Sequence, residues 1–244
     1  MKNLTKLNLG IVAGLALCVA ALPARAAYQF TDGFESYANG SSLHGQNGWA
    51  GWDNAAAATG YALTSPFAHD GNNVLQIVGT SDLTHTFAGT GNAAILSIWQ
   101  FLPNAFTGDS FVILLNTYAP GGPDAWSAQV HANAATGLIS DDNGLASQTL
   151  PLIKGEWVEY RFMIDFLGNS VSDYYNNQLL STHRWYDPAD ANARARLQAI
   201  DLFGNGAGNV YYDSLLVVIP EPGSLSLVAL GVGLVLALRR KAAR

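Results

Sequence analysis

From Trp157 to Phe166 the chain alternates residue by residue: Val158, Tyr160, Phe162, Ile164 and Phe166 fall on one side, and Glu159, Arg161 and Asp165 on the other. A period of two is the signature of a β-strand with one buried and one wet face, and no helix can satisfy it. Ala94–Leu102 and Phe111–Leu115 are apolar on both sides of the pleat, as inner strands covered on both faces are. Similar short runs rich in Val, Ile, Phe, Tyr and Trp recur between clusters of Gly, Asn, Asp and Pro, which predicts an all-β chain. Gly168-Asn169 leads into Val171–Tyr175, and Asn176-Asn177 supplies a tight turn into Leu179-Leu180, because Asn tolerates positive φ. The exception is Asp187-Pro188 to Arg196, where an Asp cap, a Pro at the first position and two late arginines predict one short helix.

The two ends read differently from the middle. Lys2 and Lys6 precede an apolar core from Leu9 to Leu22, and Ala24-Arg25-Ala26 is a small-x-small cleavage site, so residues 1–26 read as a secretory signal peptide with a signal helix. In Leu15-Ala16-Leu17-Cys18 the bulky Leu17 stands where a lipoprotein signal needs Gly, Ala or Ser, which argues against lipidation at Cys18. At the other end Pro220-Glu221-Pro222 is followed by an apolar run from Leu225 to Leu238 and then by Arg239, Arg240, Lys241 and Arg244. As a helix that run rises about 21 Å, against roughly 30 Å of hydrocarbon, a thin single transmembrane helix with its cationic end on the cytoplasmic side.

Pro-Glu-Pro, apolar helix and basic stop, in that order over residues 220–244, resemble the PEP-CTERM sorting signal of Gram-negative bacteria. That resemblance implies processing by an exosortase near Pro220–Pro222, transient anchoring in the inner membrane, and a final place on the cell surface or in the exopolysaccharide matrix. Exosortase and signal peptidase are then the processing partners. Between the two signals lies residues 27–219, long enough for one domain with a substantial core.

Charge makes sense only after trimming. Residues 27–219 keep five basic and seventeen acidic side chains, a net charge of 12 negative, and fourteen of the acids are Asp. Such a field excludes nucleic acid as a natural partner and favours neutral over acidic polysaccharide. Cys18, the only cysteine, leaves with the signal peptide, so no disulfide supports the domain.

Asp32-Gly33-Phe34-Glu35-Ser36-Tyr37, Gly48-Trp49, Trp157-Val158-Glu159-Tyr160 and Val210-Tyr211-Tyr212-Asp213 together resemble the concanavalin A-like jelly roll, a two-sheet β-sandwich shared by lectins and glucanases. In that fold the first and last strands commonly lie side by side, which would bring Glu35 and Asp213 together. The resemblance implies a structural calcium at these two acids. The alternative is that they simply face solvent or bond neighbouring backbone N–H groups.

Sugar binding needs an aromatic face and nearby hydrogen-bonding groups. Trp52, Asp53, Asn54 and Tyr61 offer one such mixture, and Asp173 with Tyr174 another; Trp99, Trp126 and Trp157 are expected in the core. Asp141-Asp142-Asn143-Gly144 lacks the alternate acids and distal Glu of a calcium loop and reads as a hairpin turn. His44, His69, His85, His131 and His183 show none of the paired spacings of zinc sites. Glu156 and Glu159 are three apart, on opposite faces of a strand, so the one-strand acid pair of a retaining glucanase is missing. The expectation is therefore an exported, non-catalytic, carbohydrate-associated surface or matrix protein. The alternatives are a purely structural envelope protein and, more remotely, a polysaccharide hydrolase or lyase.

Overall fold

A computed structural model describes residues 26–144 and 148–220. The signal peptide up to Arg25, including Ala24, and the tail from Glu221, including Pro222, Arg239 and Arg240, lie outside the described residues. Fifteen strands carry the fold: β1 (Ala26–Asp32), β2 (Trp49–Gly51), β3 (Tyr61–Thr64), β4 (Asn73–Ile77), β5 (Asp82–Thr86), β6 (Ala93–Phe101), β7 (Asp109–Thr117), β8 (Ala125–Asn133), β9 (Leu138–Asp141), β10 (Thr149–Pro151), β11 (Trp157–Asp165), β12 (Ser170–Tyr175), β13 (Gln178–His183), β14 (Ala199–Asn205) and β15 (Val210–Pro220).

They form two antiparallel sheets. One runs β13-β12-β11-β6-β15-β4-β3, with β1 also paired to β15; the other runs β10-β9-β8-β7-β14-β5-β2. Inward residues of both sheets form one core, including Leu96, Ile98, Val112, Leu114, Phe162, Val171, Leu202 and Val217. This is a β-sandwich. First and last strands do pair, Gln29 opposite Val218 and Asp32 opposite Leu215. Along β15 the partner changes. Val210–Tyr212 pair with β4, Leu215–Pro220 pair with β1, and the bulge between them holds Asp213 and a left-handed Ser214.

The alternating run becomes β11, with Val158, Tyr160, Phe162 and Ile164 buried. Asn176 and Asn177 take φ of 49° and 60°, the doubly left-handed turn that matches strand twist. The motifs quoted above interlock. Asp32 accepts from Phe34 N, Tyr37 Oη and Trp49 Nε1. Gln100, in the core, bonds both Tyr160 and Tyr212 through their hydroxyls.

Two expectations are corrected. Residues 187–196 form successive turns, not a helix. Asp187 and Asp190 each accept from the backbone N–H two residues on, and Asn116 takes the N–H of Arg194; side-chain acceptors here outcompete a helical ladder. The core tryptophans are Trp49 and Trp185, whereas Trp126 is 44% exposed. Trp126 stands on the outward row of β8 opposite Leu115, so the pleat turns it away from the core.

Candidate functional site

The outer face of the seven-stranded sheet carries a second, smaller apolar cluster. Ile113 and Leu115 of β7 and Ala199 of β14 lie under Tyr118 and Trp52. Trp52 belongs to a short 3-10 turn, Trp52–Asn54, in which Asp53 is left-handed. Tyr118 Oη accepts from Asp53 N, and Asp53 Oδ1 accepts from Gly121 N, which locks the turn onto the loop after β7. Trp52 packs at 4.9 Å from Tyr118, and Trp126 stacks nearly parallel to Trp52, 6.1 Å apart at 15°. The result is an aromatic plate with Trp126 at its open end.

On one flank of the plate lie two neighbouring carboxyls, Asp82 and Asp201. Asp201 is buried on the outer row of β14, and burial holds its pKa well above the ordinary value, with Asp82 opposing a second charge. Burial also raises Asp82, against the opposing effect of the neighbouring Asp201. Asp82 Oδ1, Asp201 Oδ1 and the nearby Asp124 Oδ1 are buried without a hydrogen-bond partner.

On the other flank a cleft of about 280 Å³ opens between Trp126 and Ser127 of β8 and the segment from His183 to Asp187, with Asn143 beside it. His183 ends β13 and leads from the cleft to the interior. There Asp141, at the inward end of β9, and Asp173, inward on β12, face it from opposite sheets. His183 Nε2 lies 2.6 Å from Asp141 Oδ2 and 3.3 Å from Asp173 Oδ2. Burial opposes a charge on His183, but the two carboxyls outweigh it and lift its pKa to about 10. Burial, with Asp141 adjacent, pushes Asp173 up to about 7; burial also works against the Asp141 charge, yet His183 and Asp173 bring it down to about 2.

The sequence candidates are distributed among several places. Trp52 and Asp53 belong to the plate. Asn54 follows in the same turn with φ of 61°, and Tyr61 stands on β3 in the other sheet. Asp173 and Tyr174 part at the pleat: Asp173 joins His183 inside, while the Tyr174 ring receives Arg161 at 5.1 Å outside. Glu35 and Asp213 converge on one loop as acceptors of its backbone. Glu35 Oε1 takes Asn72 N and Asn73 N; Asp213 takes His69 N, Asp70 N and Ser214 N. Asp213 is fully buried. Truncation by Asp213→Ala therefore orphans three amides at the bulge, and a loss of about 2–4 kcal/mol in denaturant unfolding is expected, with Asp213→Asn recovering part of it.

Asp141 was legible only as a turn residue. It does close one, since Oδ1 accepts from Asn143 N, but its other oxygen points between the sheets. Trp126, Asp82, Asp201 and His183 carried no signal beyond composition.

No family model and no curated protein matches this chain. Solved structures of similar form share little sequence with it. An endo-β-1,4-glucuronan lyase from the fungus Trichoderma reesei is 11% identical with a TM-score of 0.49, covering 80% of this chain and 96% of that one. An alginate lyase, Aly36B, is 12% identical with a TM-score of 0.48, covering 79% and 97%. A sialidase is 9% identical with a TM-score of 0.48; the match covers 81% of this chain but only 19% of the sialidase. The non-catalytic expectation is corrected here: the proteins named in these three comparisons are all enzymes.

Proposed function

We propose that this domain binds a polysaccharide chain across the Trp52–Trp126 plate and into the adjoining cleft. The observation that carries the reading is Trp126 itself, a large ring held flat by a stacked partner yet 44% exposed. A sugar ring offers C–H groups to such a face and hydroxyls to its polar surroundings. Those surroundings are present: Asn143, Arg184 and Asp187 in the cleft, and unpartnered carboxylate oxygens near the plate. The acidity of the domain favours a neutral glycan.

Removing an exposed ring leaves the fold in place. Trp126→Ala in the full chain is expected to weaken retention on the bound polysaccharide at least tenfold while leaving the melting temperature within a few degrees. If the wild-type chain is retained by neither neutral nor acidic polysaccharides, the reading fails.

A second reading, chemistry on the bound chain, is favoured by the Asp82–Asp201 pair. Two adjacent carboxyls whose proton affinities burial pushes up are the kind of pair that general acid–base cleavage of a glycosidic bond uses. Incubation with polysaccharide, followed by an assay for new reducing or unsaturated ends, tests it; Asp82→Asn should abolish any product.

Sorting belongs to the same proposal. The order Pro220-Glu221-Pro222, apolar run and basic end supports an exosortase substrate carried to the surface or matrix. Calcium at Glu35 and Asp213 is the remaining proposal, supported by two acids meeting on one loop, and melting with calcium against chelator tests it.

A further inference from the structure

The group of Asp141, Asp173 and His183 is poorly explained as an ion pair. Its ligand atoms lie within 4.8 Å of one another. His183 Nδ1 lies 2.8 Å from Arg184 O and so carries the hydrogen that it donates to that carbonyl. This fixes the ring and leaves Nε2 facing the two carboxyls. Asp141 is fixed in the same way: its Oδ1 accepts from Gln129 N and Asn143 N, which aims Oδ2 at the ring. Yet Oδ2, 2.6 Å from Nε2, is off the line of a hydrogen bond and has no partner.

Two more buried atoms beside it are equally unsatisfied, Asp173 Oδ1 and Ser181 Oγ. Ser181 pairs with Asp173 across β12 and β13, and both are 1% exposed. The loop above is pressed onto the group: a Cβ on Gly144 would collide with Ser181 Oγ and lie 3.0 Å from Asp141 Oδ2. Even a fully protonated ring offers one N–H to three carboxylate oxygens. One cation serves them all.

We propose that Asp141, Asp173 and His183, with Ser181 as a further oxygen, bind one divalent transition-metal ion between the two sheets, zinc by preference. An imidazole nitrogen with two carboxylate oxygens suits zinc better than calcium, which prefers an all-oxygen shell. The backbone carbonyl behind His183 and the amides behind Asp141 are the outer contacts that hold such ligands in orientation. The cleft that His183 lines provides the way in. The proposal stands apart from glycan binding.

The test uses the full chain, stripped with chelator and titrated with zinc and with cobalt(II). Uptake of one equivalent is expected, with a visible cobalt absorption of mixed nitrogen and oxygen ligation. His183→Gln and Asp173→Asn should each weaken uptake at least tenfold, whereas His131→Gln, at the separate His131–Asp142 contact of 3.6 Å, should not. Absence of uptake, or uptake unchanged in both variants, overturns the proposal. If the variants fail to fold, anomalous scattering from zinc-soaked crystals of the unaltered chain decides: a peak between β9 and β12 supports it, and a peak only at His131 or none at all overturns it.

Discussion

Replacing Asp201 by Asn is expected to make the protein more stable at neutral pH and to change little at pH 4. Asp201 is buried, and its folded pKa stands well above the unfolded value of 3.8. Above pH 4 the unfolded chain has released this proton while the folded chain keeps it, so stability falls as pH rises, by up to about 1.4 kcal/mol per unit, until the folded pKa is reached. Asn is neutral throughout and has nearly the same shape. The gain should therefore grow from pH 4 to pH 8 in parallel denaturant titrations. A loss of stability at pH 8 would mean that Asp201 is ionised and paired. A gain would mean that the native chain retains a costly acid, which is what a working carboxyl on a binding face entails.

His183→Ala is expected to act in the opposite direction. The substitution leaves Asp141 and Asp173 facing each other across the interior without a cation, and a buried pair broken from one side costs about 3–5 kcal/mol. Adding Asp173→Asn to that variant removes one of the two stranded charges and should restore part of the loss. Thermal unfolding of the single and double variants checks the coupling. If His183→Ala melts with the wild type, the side chain is not held by these acids.

What could be read along the chain was whatever repeats within a few residues. The alternation that makes β11 and the paired asparagines after β12 are local, so periodicity and turn chemistry expose them. Pairing of the first strand with the last followed from a resemblance, since nothing in either segment names its partner. The candidate site has no such local trace. Asp141, Asp173 and His183 belong to three strands of two sheets, and only the sandwich makes them neighbours. Asp173 was singled out beside Tyr174, its sequence neighbour, although the pleat sends the two in opposite directions. The segment from Asp187 to Arg196 misled for a related reason, because the Asp that caps a helix also closes a turn without one. A ring as large as that of Trp126 usually belongs to a core, but the register of β8 against β7 decides otherwise.

The order in which the strands are made has a consequence of its own. β15 is the last of the described strands to be made, yet it lies in the middle of its sheet, between β6 on one side and β4 and β1 on the other. Until Val210–Pro220 emerges, β1 has no partner among the described strands, and β6 has only β11. Contacts across so much chain are slow to close. The polypeptide must therefore wait, with apolar edges uncovered, until β15 is available, and a truncation before β15 should produce an aggregating chain rather than a smaller domain.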